Sequence, residues 1–130
     1  MKKLILTFDG GAKPNPGKGY GSYNIRIDGN KEPAYGESEK FYGDNLTSNQ
    51  SEYMAVIRGV EKIIELFGNE CDVLIKGDSE LVIKQVLGKY KVKNKRMVPL
   101  FQKLTSLLTK LVSYNVQYRP RIKSVEEFGH

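Results

Sequence analysis

The sequence predicts an α/β fold with a five-stranded mixed sheet, and three observations predict it. Near the N-terminus apolar residues alternate with a period of two; from Tyr53 they recur at helical spacing; beyond that, short apolar runs separate helical stretches. The 130 residues fit one domain, because a single core can be built at this length.

In chain order, Leu4, Leu6 and Phe8 alternate with Ile5, Thr7 and Asp9, giving a first strand over residues 3–9. Gly10 to Gly17 reads as a turn, because Gly and Pro disfavour a central strand. Tyr20 to Asp28 is a second strand with Tyr23, Ile25 and Ile27 on one face, and Asp28-Gly29-Asn30 is a hairpin signal. A more polar third strand, placed near an edge, runs roughly from Pro33 to Tyr42, so the front half is an antiparallel meander. Tyr53, Val56, Ile57, Val60, Ile63, Ile64 and Phe67 then mark an amphipathic helix. Thr47 with Gln50 is a capping box at its start, Ser48 being the alternative cap, and Gly68 ends it. Val73-Leu74-Ile75 has the continuous apolar character of a buried parallel strand. Asp78-Ser79 opens a second helix carrying Val82, Ile83, Val86 and Leu87, and a basic loop follows from Gly88 to Arg96. Pro99 stands in the first turn of a third helix with Leu100, Phe101, Leu104, Leu107, Leu108 and Leu111 in a stripe; Tyr114, Val116 and Tyr118 form the last strand.

Composition narrows the function. Lys and Arg number 21 against 15 Asp and Glu, a formal charge of +6 that is compatible with nucleic acid but does not prove it. No apolar run approaches the ~20 residues of a membrane span, and the apolar stretch after Met1-Lys2-Lys3 is too short for a signal core. A single cysteine, Cys71, and a single histidine, His130, exclude an intramolecular disulfide and Cys- or His-rich metal sites. A cytoplasmic monomer is expected, with any metal held by carboxylates.

Three acids stand at element ends: Asp9 ends the first strand, Glu52 lies in the first turn of the long helix, and Asp78 ends the fourth strand. Singly, each has an ordinary role as turn former, helix-dipole acid or cap. Together they point elsewhere. A right-handed crossover sets the fourth strand parallel to and beside the first, so their carboxyl ends adjoin, where ligands of open α/β sheets gather. Converging carboxylates repel one another unless a cation neutralises them, and an all-oxygen set suits Mg²⁺ or Mn²⁺. Such a site beside basic, Gly-rich loops suggests phosphodiester chemistry.

In these motifs the chain resembles the type 1 ribonuclease H family. The resemblance rests on Phe8-Asp9-Gly10-Gly11-Ala12 with Asn15-Pro16-Gly17, on Thr47-Ser48-Asn49-Gln50-Ser51-Glu52-Tyr53, on Gly77-Asp78-Ser79-Glu80-Leu81-Val82, and on Gly88 to Asn94 with Pro99-Leu100. It spans nearly the whole chain and implies a ribonuclease H-like fold. It further implies hydrolysis of the RNA strand of an RNA–DNA hybrid with two divalent ions, Mg²⁺ or Mn²⁺, held by Asp9, Glu52 and Asp78 as catalytic and metal-binding residues. For the nucleic acid it implies contacts from Gly10, Gly11, Asn15, Ser48 and Asn49 in the minor groove. Thr47 and Asn94 would hold a DNA phosphate, and Tyr90 would pack a deoxyribose.

The pattern departs from the family in three places. Ser48 replaces a usual Asn. The fourth family acid, about seven residues after a Pro-Arg pair, falls on Phe128, leaving Glu126 or Glu127 as stand-ins or as plain surface acids. The final helix is expected to be short, reduced to a turn, or missing. These departures predict a high metal requirement with Mn²⁺ preferred. They also keep open a catalytically weak hybrid- or duplex-binding module on the same fold. Another nuclease or integrase on that fold is disfavoured by the segment from Tyr90 to Asn94.

Overall fold

The computed structural model describes residues 1–129. Its element order is β1 (Lys2–Lys13), β2 (Gly17–Ile27), β3 (Tyr35–Leu46), α1 (Ser48–Phe67), β4 (Cys71–Gly77), α2 (Glu80–Val86), α3 (Val98–Leu108), β5 (Ser113–Tyr118) and α4 (Arg121–Phe128). The five strands lie in the order β3-β2-β1-β4-β5. β1 pairs antiparallel with β2 and parallel with β4, and β4 pairs parallel with β5. The mixed α/β sheet read from the sequence is the observed one.

One sheet face is apolar. Leu4, Leu6, Phe8, Tyr23, Ile25, Val73 and Ile75 are buried there, against Val56, Val60 and Ile63 of α1 and Leu104 and Leu108 of α3. Leu6 lies so close to Gly59 of α1 that a Cβ there would meet its Cδ1 at 2.5 Å. The capping box at Thr47 is complete: its hydroxyl accepts from the Gln50 N–H, and the Gln50 side chain accepts from the Thr47 N–H.

Two expectations need correction. β1 does not stop at Asp9 but runs through Gly10, Gly11 and Ala12 to Lys13, paired with β2 down to Lys13↔Lys18. The turn is therefore only Pro14-Asn15-Pro16. Glycine is required within the strand because the start of α1 lies on Gly10, where a Cβ would come within 2.5 Å of the Ser51 carbonyl carbon. Second, β3 continues past Tyr42 to Leu46, through irregular pairing and left-handed backbone at Glu39 and Asn45. Of the alternatives for the tail, the structure has the short helix, the eight-residue α4. This helix packs on the sheet face opposite α1, where Thr7, Asn24 and Arg26 alternate with the core residues.

Candidate metal and nucleic-acid site

The β1–β4 register ends with Phe8 opposite Gly77, so the residues that follow, Asp9 still within β1 and Asp78 just beyond β4, stand at adjacent positions where the two strands part. Glu52 is the fifth residue of α1, just past the first turn expected from the sequence, because the helix already begins at Ser48. It is held by the Gly10 N–H, which donates to its Oε1 at 2.7 Å. One carboxylate oxygen from each of Asp9, Glu52 and Asp78 lies within 4.8 Å of the others. Asp9 and Glu52 are 2% and 6% exposed, and the Asp78 side chain 4%. The cluster is thus withdrawn from bulk water yet opens into a cavity of about 800 Å³.

Its electrostatics are unfavourable in isolation. Burial first, then repulsion from Asp9 and Asp78, holds the Glu52 carboxyl well above its ordinary range, against the opposing pull of the Gly10 N–H. Asp78 is raised likewise by burial and by Asp9, with Arg121, Ser124 and Arg119 pulling the other way. Glu52 Oε2 and Asp78 Oδ2 are buried without a hydrogen-bond donor, and the nearest cation to Asp78 Oδ2 is Arg121 Nη1 at 3.7 Å. Buried carboxylate oxygens kept together and short of donors fit a hard divalent cation, which would supply the missing charge.

The remaining predicted residues fall into two groups. Gly10, Gly11, Ser48 and Asn49 line the cavity with the acids. Asn15, at the tip of the β1–β2 turn, is tied to them by its Oδ1, which accepts from the Ser48 N–H at 3.1 Å. Thr47, Tyr90 and Asn94 lie outside that cavity. Arg96 connects two of them: its backbone N–H donates to Asn94 Oδ1, while its Nη1 donates to Asn45 O and to Gln50 Oε1, the oxygen that also caps Thr47. The basic loop is therefore anchored to the N-terminus of α1. Tyr90 rests on α2, its ring facing Lys84 Nζ at 5.1 Å.

Neither tail acid joins the cluster. Glu126 is exposed and pairs with Lys123. Glu127 Oε2 accepts from Thr7, Asn24 and Arg26, and its Oε1 from Arg119 Nη1 at 2.7 Å. These donors outweigh burial and hold its carboxyl down to about 2. Arg121 reaches the cavity instead; in the sequence the Pro120-Arg121 pair serves only as a spacing marker, and nothing local assigns the guanidinium to the site.

A family model described as reverse transcriptase-like matches residues 7–125. The chain belongs to this ribonuclease H-like family. Among curated proteins, the bifunctional protein Rv2228c of Mycobacterium tuberculosis is 32% identical to this ribonuclease H-like chain over 123 residues, 94% of the chain and 32% of the relative. The chain thus spans about a third of the length of the curated relatives it matches. Among solved structures, the N-terminal RNase H domain of Rv2228c, fused to maltose binding protein, superposes with a TM-score of 0.85 at 26% identity, covering 97% of this chain and 88% of that one. LC11-RNase H1 in complex with RNA/DNA hybrid gives 0.85 at 30% identity, covering 96% and 92%. RNase H1 of Halobacterium salinarum NRC-1 gives 0.84 at 25% identity, covering 93% and 88%.

Proposed function

We propose that the chain is a metal-dependent endonuclease that hydrolyses the RNA strand of an RNA–DNA hybrid. The observation that carries this reading is the convergence of Asp9, Glu52 and Asp78 on one open cavity. Family membership supports it, as does the likeness to LC11-RNase H1 in complex with RNA/DNA hybrid. Two Mg²⁺ or Mn²⁺ ions bound by these carboxylates would activate the attacking water and neutralise charge on the leaving 3′ oxygen.

The chain's own residues do the positioning. Gly10 fixes Glu52 through its N–H and lets α1 approach the strand, which keeps Glu52 beside Asp9. Arg121 is exposed at the cavity rim, where its guanidinium would meet a phosphate beside Asp78. Asn15, Ser48 and Asn49, with the open backbone at Gly11, would face the minor groove, where 2′-hydroxyls are displayed. Thr47 and Asn94, joined through Arg96 and Gln50, would hold a phosphate of the DNA strand. Tyr90 presents a half-exposed ring for a sugar lacking a 2′-hydroxyl.

With Glu127 engaged elsewhere, the site offers three protein carboxylates. A high metal requirement with Mn²⁺ favoured follows from that lower charge. We place the chain in the cytoplasm as a monomer; no helix among the described residues is long and apolar enough to cross a membrane.

The test is incubation with end-labelled hybrid, duplex DNA and duplex RNA, with Mg²⁺, with Mn²⁺ and with chelator. Cutting of the hybrid's RNA strand alone, abolished by chelator, is the expected result. Binding without cutting in either metal would instead establish the weak binding module.

The basic loop gives a separate prediction. Lys91, Lys93 and Lys95 are exposed, so replacing all three with Ala should weaken binding to every hybrid sequence alike. For every phosphate no longer neutralised, the slope of log K against log salt should flatten by about 0.7–0.9. An unchanged slope in a binding titration across salt would reduce this loop to a solvated connection.

A further inference from the structure

On the sheet face that carries α4, a row of side chains runs beside the carboxylates. Asp9 pairs with Ser22, Gly11 with Tyr20 and Lys13 with Lys18 across β1 and β2, and Tyr20 pairs onward with Phe41 of β3. Residues two apart on a strand share a face, so Asp9, Gly11 and Lys13 project together, as do Lys18, Tyr20 and Ser22. Tyr20 and Phe41 are 39% and 47% exposed, with ring centroids 5.5 Å apart. A Cβ at Gly11 would meet nothing within 4 Å, which leaves an open shelf beside the Tyr20 ring. Tyr20, Gly11 and Lys13 all line the cavity that holds the acids.

Folding does not require two neighbouring rings exposed on this face. Their surroundings match a nucleotide: an apolar platform for a base, the exposed Lys13 and Lys18 on one side for phosphates, and the carboxylates on the other. Two strand residues span roughly 7 Å, so the platform lies about one nucleotide from the acids. A base inside a duplex is already stacked on its neighbours, so the platform is of use only to an unpaired one. We propose that Tyr20 and Phe41 stack an unpaired base of the RNA strand where that strand leaves the hybrid, so that the enzyme engages hybrid ends bearing a single-stranded RNA tail. This rests on the hybrid-nuclease reading above. It adds a substrate class, the junction between hybrid and single-stranded RNA.

The test compares a blunt hybrid, the same hybrid with a four-nucleotide RNA tail on either end of the RNA strand, and one with a DNA tail on the DNA strand. Affinity is measured in Ca²⁺ and cutting in Mg²⁺ or Mn²⁺, with 2-aminopurine as the first unpaired tail base. Aromatic stacking is worth about 1–3 kcal/mol per base, so one RNA tail should tighten binding about 5-fold or more and quench the 2-aminopurine. In Tyr20→Leu/Phe41→Leu, which keeps apolar volume on the face, the ratio of tailed to blunt affinity should fall to about one. Cutting of the blunt hybrid with no gain from either RNA tail would overturn the platform and leave the nuclease reading standing. An equal gain from the DNA tail, or a gain that survives the double substitution, would overturn it too. No cutting of any hybrid would overturn the nuclease reading itself and the platform with it.

Discussion

Asp9→Asn and Asp78→Asn are each expected to lower hybrid hydrolysis by more than 100-fold at saturating metal. Substitutions one shell away from a metal ligand already cost roughly 10–100-fold, and these two change a ligand itself. Asn keeps the shape of the side chain and one carbonyl oxygen but removes the charge that a hard cation needs. Folding should not suffer. The cluster is a repulsive arrangement, with Glu52 and Asp78 both raised by burial and by the acid beside them, so removing one charge relieves the other two. The metal-free variants should therefore melt at or above the wild-type temperature, while the stabilisation that Mn²⁺ confers on wild type should shrink. Measured together, turnover and melting separate loss of a ligand from loss of the fold. Wild-type turnover in both variants would end the metal-site reading.

Much of this site was legible because its residues sit where the β1–β4 pairing ends and close to the start of α1. Asp9 and Asp78 follow apolar runs whose parallel pairing is dictated by the handed crossover, and their adjacency needed only that topology. Glu52 needed only the helix start, which the Thr47–Gln50 box marked. What local pattern does not carry was set by contacts distant in sequence. Gly10 to Ala12 look like turn residues, yet they are strand because β2 supplies partners through Lys18 and α1 needs a surface without a Cβ. The left-handed Glu39 and the length of β3 are likewise set by irregular pairing that has no period. The fate of Glu127 depended on donors more than a hundred residues away on β1 and β2, and on Arg119 beyond β5. No local pattern distinguishes an acid that binds metal from one that closes a polar core.

Glu127→Gln is expected to destabilise the protein by roughly 2–3 kcal/mol, lowering the melting temperature by about 10 °C, because it leaves two guanidinium groups uncompensated in a largely buried place. Arg26 and Arg119 are 22% and 12% exposed at the side chain, and Arg119 Nε and Nη2 already lack acceptors. The pH dependence distinguishes this role from metal binding. In the folded chain the Glu127 carboxyl is lowered from 4.5 to about 2. Its contribution is therefore fully present above the unfolded value and is lost as pH falls from about 4.5 towards 2. Glu52 and Asp78 act with the opposite sign: raised in the folded state, they oppose folding near neutrality and release that penalty as acid protonates them. Metal-free wild type should gain stability on mild acidification and then lose it steeply below about pH 4.5. In Glu127→Gln the gain should remain while the steep acid loss is blunted, as followed by melting in a pH series with chelator. The metal concentration for half-maximal hydrolysis should not change. A rise in that concentration with the acid limb intact would make Glu127 a ligand and refute the structural role.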